Sequence, residues 1–298
     1  MRQARVPRRA GGLLALLLWP ALSTPAQPPL PTVAPELPVE RRAAGRPLSP
    51  PPGARGMRVA LHEDLRFRYL EVELGAAPEG TPRPLVLVLH GRGDGPRIPT
   101  GDYTEGLPVR LVLPFAPEGL GVGWSWLATS VLDGRDRDLA DELRVRADEL
   151  ASFLVQLEAR HRTRGRPVVT GFSQGGMLTL ALAFRHPETL RAAVPLGAWV
   201  PAALAREARP SETPRIRALH GEADPIMGLG RTRALYAGLD ARGFDALLET
   251  FPEIPHRMSE AMKAQHERLL LEALATPRPL RGRGGSAEPV ERAMAVPR

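Results

Sequence analysis

The sequence predicts an α/β domain: a mostly parallel central sheet with helices on both faces, entered through an antiparallel hairpin. Three observations predict it. Pro84-Leu85-Val86-Leu87-Val88-Leu89 is continuously apolar, as a parallel strand buried on both faces is, and it runs straight into a glycine-rich loop. Downstream, short apolar or β-branched runs alternate with stretches of helical periodicity, the order that builds a parallel sheet. Finally, Pro167-Val168-Val169 leads through Thr170-Gly171-Phe172-Ser173-Gln174-Gly175-Gly176 into an apolar run at 177–184, so that strand, tight turn and helix follow one another.

In chain order, residues 1–26 read as an export signal. Arg2, Arg5, Arg8 and Arg9 precede an apolar stretch that ends near Leu22, and Thr24-Pro25-Ala26 offers small residues for a cut. The apolar run is shorter than the ~20 residues a membrane span needs, so no stable span is expected once the signal is removed. Residues 27–56 form a proline-rich linker that cannot build a core. The domain occupies 57–276. Met57-Arg58-Val59-Ala60-Leu61 and Phe67-Arg68-Tyr69-Leu70-Glu71-Val72-Glu73-Leu74 alternate apolar and polar, as half-buried antiparallel strands do. After the strand at 84–89 comes another at 109–114. A long helix starts at Asp138, with Leu139, Leu143, Leu150, Leu154 and Leu157 on one face. Further strands are expected at 192–196, 216–219 and 247–251, and helices at 201–208, 229–242 and 258–275. The tail at 277–298, glycines among arginines, is expected to be disordered.

The formal charge of +7 suggests a nucleic-acid partner, but its location argues against one. The excess arginine lies in 1–56 and 277–298, which leaves 57–276 slightly acidic at −2. A core with no basic stripe lacks a phosphate footprint. The absence of cysteine excludes disulfides, thiolate metal sites and a cysteine nucleophile. The histidines do not fall in an H-E-x-x-H pattern, and no metal or organic cofactor is expected.

The strand–G-x-S-x-G–helix context is that of a nucleophile elbow. Glycine is required at 171 and 175 because side chains there would meet neighbouring backbone, and the turn presents the Ser173 hydroxyl at the rim of the sheet. Such a serine needs a base, an acid that orients the base, and oxyanion donors. Groups at the carboxyl ends of parallel strands can supply them. Gly91 and Arg92 follow the strand at 85–89 in His90-Gly91-Arg92-Gly93-Asp94-Gly95, which lacks the Lys-Ser/Thr ending of a phosphate loop. With the Gln174 amide, the backbone there could hold an oxyanion. Asp224 follows the strand ending at Leu219, with Glu222 as its rival. His256, on a loop before the last helix, is the one histidine placed after Asp224 and outside a helix or strand; His90 and His220 are expected to brace loops.

These pieces together resemble the phospholipase/carboxylesterase group of α/β-hydrolases, which includes acyl-protein thioesterases. The matching stretches are V-L-H-G-R-G-D at 88–94, G-F-S-Q-G-G-M at 171–177, P-L-G-A-W-V-P at 195–201, H-G-E-A-D-P-I at 220–226 and P-H at 255–256. The resemblance implies the α/β-hydrolase fold, Ser173, Asp224 and His256 as a triad, and the Arg92 and Gln174 amides as the oxyanion hole. Two stretches depart from the family pattern: Gly123-Trp124-Ser125-Trp126-Leu127, where the family shows Trp-Phe-Asp, and Pro225-Ile226-Met227, where it shows Pro-Val-Val. Both border the acyl pocket in the family, so the resemblance does not extend to the substrate. Trp124, Trp126, Trp199 and Met227 are candidates to line the acyl or alcohol pocket, with ordinary core packing as the alternative. The expected activity is that of an exported serine hydrolase cleaving a small-molecule carboxylic or thio ester through an acyl-enzyme intermediate. A polyester or feruloyl-type esterase and a serine peptidase are alternatives on the same fold. A binding protein on a hydrolase scaffold, with the proline-rich arm as spacer, is the alternative of another class.

Overall fold

The computed structural model describes residues 45–50, 57–78, 80–98 and 107–275. The expected export signal, all but 45–50 of the proline-rich segment, and the tail lie outside the described residues. The first strands are β1 (Arg46–Leu48), β2 (Arg58–His62), β3 (Tyr69–Leu74), β4 (Leu85–Leu89) and β5 (Val109–Pro114). A hairpin of β6 (Glu118–Leu120) and β7 (Gly123–Ser125) precedes α1 (Asp136–Arg160). Then follow β8 (Val168–Phe172), α2 (Gln174–Arg185), β9 (Ala192–Leu196), α3 (Ala202–Ala205), β10 (Arg215–Gly221), α4 (Leu229–Asp240), β11 (Ala246–Phe251) and α5 (Glu260–Ala275).

Nine strands form one sheet in the order β1-β2-β3-β5-β4-β8-β9-β10-β11. The first three pairings are antiparallel and the remainder parallel, so the expected mixed α/β architecture is what forms. The period-two rule sorts the core into two layers. Leu85, Leu87 and Leu89 of β4 pack into one cluster with side chains of α1, α2, α3 and α4, whereas Val86 packs into the other with Met262, Leu270 and Leu274 of α5. The leucine face of α1 is buried at all five predicted positions. Each such leucine contributes roughly 2 kcal/mol relative to exposure, and this face rather than intrinsic propensity fixes the helix.

Two features differ from the sequence expectation. The sheet begins within the proline-rich segment, because Arg46–Leu48 pairs antiparallel with Val59–Leu61 as an edge strand, where Pro47 is tolerated. In β3, Glu71 is buried rather than half-solvated. A buried carboxylate needs partners, and Arg110 on β5 donates to Glu71 Oε1 (2.6 Å) and to Glu73 Oε1 (2.7 Å).

The strand order reverses beside β4, since β4 leads to β5 on one side while β8 lies on the other. The carboxyl ends of β4 and β8 flank this switch point, where open α/β sheets form their ligand crevice.

One buried titratable group makes the fold acid-sensitive. The His266 imidazole of α5 donates from Nε2 to Thr170 Oγ1 on β8 (2.8 Å), and that hydroxyl donates to the Val194 carbonyl (2.7 Å). Burial lowers its pKa from 6.5 to about 4. The folded-state value lies below the unfolded one, so its contribution is intact above about pH 6.5 and is lost as pH falls through about 4. The full loss is roughly 3 kcal/mol. Thermal melts from pH 7 to pH 4 are expected to show a falling midpoint, and His266→Gln, which keeps the donor, is expected to flatten the profile. Parallel profiles for the two proteins would remove His266 as the cause.

Candidate active site

Ser173 stands between Phe172, the last residue of β8, and Gln174, the first of α2, with φ 57° and ψ −119°. Few non-glycine residues adopt this region, and here the surroundings leave little choice. A Cβ on Gly171 would stand 2.6 Å from the Gly175 carbonyl carbon and 2.7 Å from the Leu89 carbonyl oxygen, and one on Gly175 would overlap Leu89 O as well. The two glycines let β8, β4 and the start of α2 approach closely enough to force the turn. The Ser173 amide donates to Leu196 O on β9 (2.9 Å), which anchors it.

Three side chains from separate loops meet at this rim. His256 Nε2 lies 2.8 Å from Ser173 Oγ, and His256 Nδ1 lies 2.6 Å from Asp224 Oδ2. The other Asp224 oxygen accepts the amides of Ile226 (2.9 Å) and Met227 (2.8 Å), so the buried carboxylate is held in one rotamer. With Asp224 accepting from Nδ1, Nε2 is left unprotonated and faces the serine hydroxyl. The Phe172 ring lies against the imidazole, with ring centroids 4.7 Å apart. The rival Glu222 points elsewhere: its Oε1 accepts from Thr250 Oγ1 (2.7 Å) and Arg233 Nη2 (3.1 Å). His220, expected to brace this loop, is fully buried beneath it, with Nε2 3.9 Å from Asp224 Oδ2. Burial holds its imidazole below the usual range.

Gly221 sets the position of the histidine loop. A Cβ there would overlap the Ile254 carbonyl and stand 3.0 Å from the Pro255 carbonyl oxygen, directly before His256. Gly221→Ala is therefore expected to displace His256 and reduce kcat by about 100-fold while the fold persists, as a misplacement near 1 Å does. Steady-state kinetics alongside thermal melts would check this, and an unchanged kcat would refute it.

The loop after β4 is fixed from three directions. His90 Nδ1 donates to Gly91 O (2.8 Å), and its Nε2 accepts from the Ala116 amide (3.1 Å). Burial keeps this imidazole below its usual pKa, consistent with a neutral ring in that role. Trp126 Nε1 donates to His90 O (3.0 Å). The hairpin closes the third side, where Gly93 N donates to Trp124 O and Trp124 N to Asp94 O, both at 2.8 Å. Among the described residues, the Arg92 and Gln174 amides donate to no backbone acceptor. The Gln174 side chain has a task of its own: its Oε1 accepts from Trp126 N (2.8 Å) and Ser125 Oγ (3.2 Å), tying the start of α2 to the end of β7. Sequence reasoning used Gln174 only for its amide. A buried glutamine beside a nucleophile turn, with both ends of its amide needing partners, is the signal that could have revealed the clamp.

A cavity of about 210 Å³ opens at Ser173 and His256. Its walls are mostly apolar, with Leu127, Val131, Leu139, Met177, Ile226 and Met227 among them, and Arg92 and Gln174 also line it. Of the four expected pocket residues, Met227 lines this cavity and the three tryptophans do not. Trp126 is buried, edge-on to Phe67, with its indole N–H on the His90 carbonyl, and it lies in the wall of a second cleft. Trp124 packs its ring edge-on against Phe115. Trp199 lines a different cavity, between α3 and α4. The cleft at Trp126, of about 590 Å³, adjoins the cavity at Ser173 through Arg92 and Leu127, with the charged Glu118, Asp141, Glu142 and Arg146 along it.

Known proteins share this architecture. Residues 71–269 match the family model for phospholipase/carboxylesterase. The chain is 30% identical over 238 residues to the protein named "Putative esterase NocK" of Nocardia uniformis subsp. tsuyamanensis, covering 74% of this chain and 65% of NocK's length. It is 29% identical over 223 residues to acyl-protein thioesterase 1 of Mycosarcoma maydis, covering 64% of this chain and 90% of that one. Among solved structures, the esterase PE8 superposes with a TM-score of 0.57 at 23% identity, covering 68% of this chain and 99% of PE8. The Bacillus cereus carboxylesterase gives 0.56 at 16% identity, covering 70% and 96%. At these identities the two structures speak for the fold, while the family match speaks for the family. The chain belongs to the phospholipase/carboxylesterase family of α/β-hydrolases.

Proposed function

We propose that Ser173 carries out a two-step acyl transfer from a carboxylic ester to water. The observation that supports it most is the unbroken hydrogen-bonded line from Asp224 through His256 to Ser173. As Ser173 Oγ attacks the ester carbonyl carbon, its proton passes to His256 Nε2, and Asp224 stabilises the resulting imidazolium. The amides of Arg92 and Gln174 receive the oxyanion, each worth about 3 kcal/mol in comparable sites. The imidazolium then protonates the departing alkoxide, and the C–O bond to it breaks, leaving an acyl-serine. Water adds to that ester, giving its proton to the same imidazole, and the acid leaves as Ser173 regains its proton.

The cavity at Ser173 takes the acyl group, and the cleft beyond Arg92, with its charged side chains, takes the alcohol side. A cavity of about 210 Å³, small beside those that hold drug-sized ligands, favours short to medium acyl chains. Each buried methylene adds about 0.8 kcal/mol, close to fourfold in kcat/KM. Across p-nitrophenyl esters, kcat/KM is expected to climb from acetate to about hexanoate and to fall for dodecanoate, and Met227→Trp is expected to move the optimum to shorter chains. A burst of p-nitrophenol equal to the enzyme concentration would mark the acyl-enzyme. Cleavage of aryl amides or peptides in place of these esters would favour the peptidase reading. In the same proposal this activity lies outside the cytosol, a reading supported by the signal-like composition of residues 1–26.

A further inference from the structure

The stretch Pro195–Pro201 that helped identify the family ends at a cavity unconnected with Ser173. It measures about 360 Å³, within the range of small-molecule sites, and shares no lining residue with the cavity at Ser173. Its walls come from the 199–206 segment on one side and α4 on the other, with Trp199, Val200, Pro201, Leu235 and Leu239 as the apolar surface.

The polar groups around it are cationic. Arg206, Arg231 and Arg242 line it, against one acid, Asp136. Two of the three guanidinium groups are already committed. Arg231 pairs with Asp136 and lies over the Trp199 ring, 4.0 Å from its centroid. Arg242 donates to the carbonyls of Ala205 (2.8 Å) and Ala208 (2.6 Å). Arg206 forms no ion pair among the described residues.

We propose that this cavity binds an amphiphilic monocarboxylate: an apolar body against the Trp199 and α4 wall, with its carboxylate at Arg206. One uncommitted guanidinium fits a single negative charge. A phosphate monoester would bring a second charge with no partner, and a neutral alcohol would leave Arg206 unused.

The test uses the full chain carrying Ser173→Ala, which removes turnover, titrated with decanoate and with decanol by calorimetry. Decanoate is expected to bind in preference to decanol. Ala234→Trp, an exposed α4 position filling this cavity, is expected to abolish decanoate binding. Met227→Trp, which fills the cavity at Ser173, is expected to leave it intact. Arg206→Glu is expected to weaken it by about tenfold or more, the loss of a hydrogen bond to a charged group. In the Ser173-containing protein, Ala234→Trp is expected to hydrolyse p-nitrophenyl acetate at the normal rate, which also reports that it folds. Absence of decanoate binding, its survival in Ala234→Trp, its loss in Met227→Trp, or equal binding of decanol would each overturn the proposal. None of these outcomes depends on whether Ser173 is the nucleophile.

Discussion

Ser173→Ala is expected to reduce ester hydrolysis by on the order of 10⁵- to 10⁶-fold, the largest effect of any single change in this chain. The substitution removes the atom that attacks and leaves everything that positions it. Alanine carries the same backbone burden as serine at φ 57°, and the amide still donates to Leu196 O. The hydroxyl's hydrogen bond is to His256, which Asp224 continues to hold. The melting temperature should therefore stay within a few degrees of the parent while labelling by a fluorophosphonate disappears. The residual rate over water reports the Arg92 and Gln174 amides and the acyl cavity. A variant retaining more than about one-tenth of the parental kcat/KM would end the assignment of Ser173 as nucleophile.

Asp224→Asn is expected to lower kcat by about 10⁴-fold with the fold intact, through the tautomer of His256. The asparagine carbonyl can take the place of Oδ1 and keep the amides of Ile226 and Met227. Its NH₂ then faces His256 Nδ1 where Oδ2 accepted at 2.6 Å. Two donors cannot share that contact, so the imidazole turns to the form protonated at Nε2, which cannot take the serine proton. Glu222→Gln is the control. Its carboxylate serves Thr250 and Arg233, so the rate should stay within about twofold of the parent. An inverted pair of results, with Glu222→Gln inactive and Asp224→Asn active, would transfer the orienting role to Glu222.

Several functional details were invisible in the sequence for a common reason. Three-residue strands such as β1, β6 and β7 are too short to display a period, so the sheet edge in the proline-rich segment and the hairpin bracing the Gly91–Asp94 loop had no readable pattern. The Gln174 clamp depends on Ser125 and Trp126, 49 and 48 residues away along the chain. The tryptophans are the clearest case. An indole suits a core as well as a pocket, and the choice rests on which neighbour accepts its N–H and which helix covers its face. For Trp126 the His90 carbonyl decides, and for Trp199 it is α4.

What the sequence by itself determined are the features set by local sterics and period: the buried leucine rows of β4 and α1, and the glycines at 171 and 175 that permit the Ser173 turn. These follow from backbone geometry within a few residues. The tertiary structure alone brought Asp224 rather than Glu222 against His256, set His256 within 2.8 Å of Ser173, and put Met227 at the cavity beside Ser173 and Trp199 at a second cavity behind α4. Those outcomes depend on how loops far apart in sequence are carried to one edge of the sheet, and strand order and helix packing, which no local pattern encodes, fix that placement.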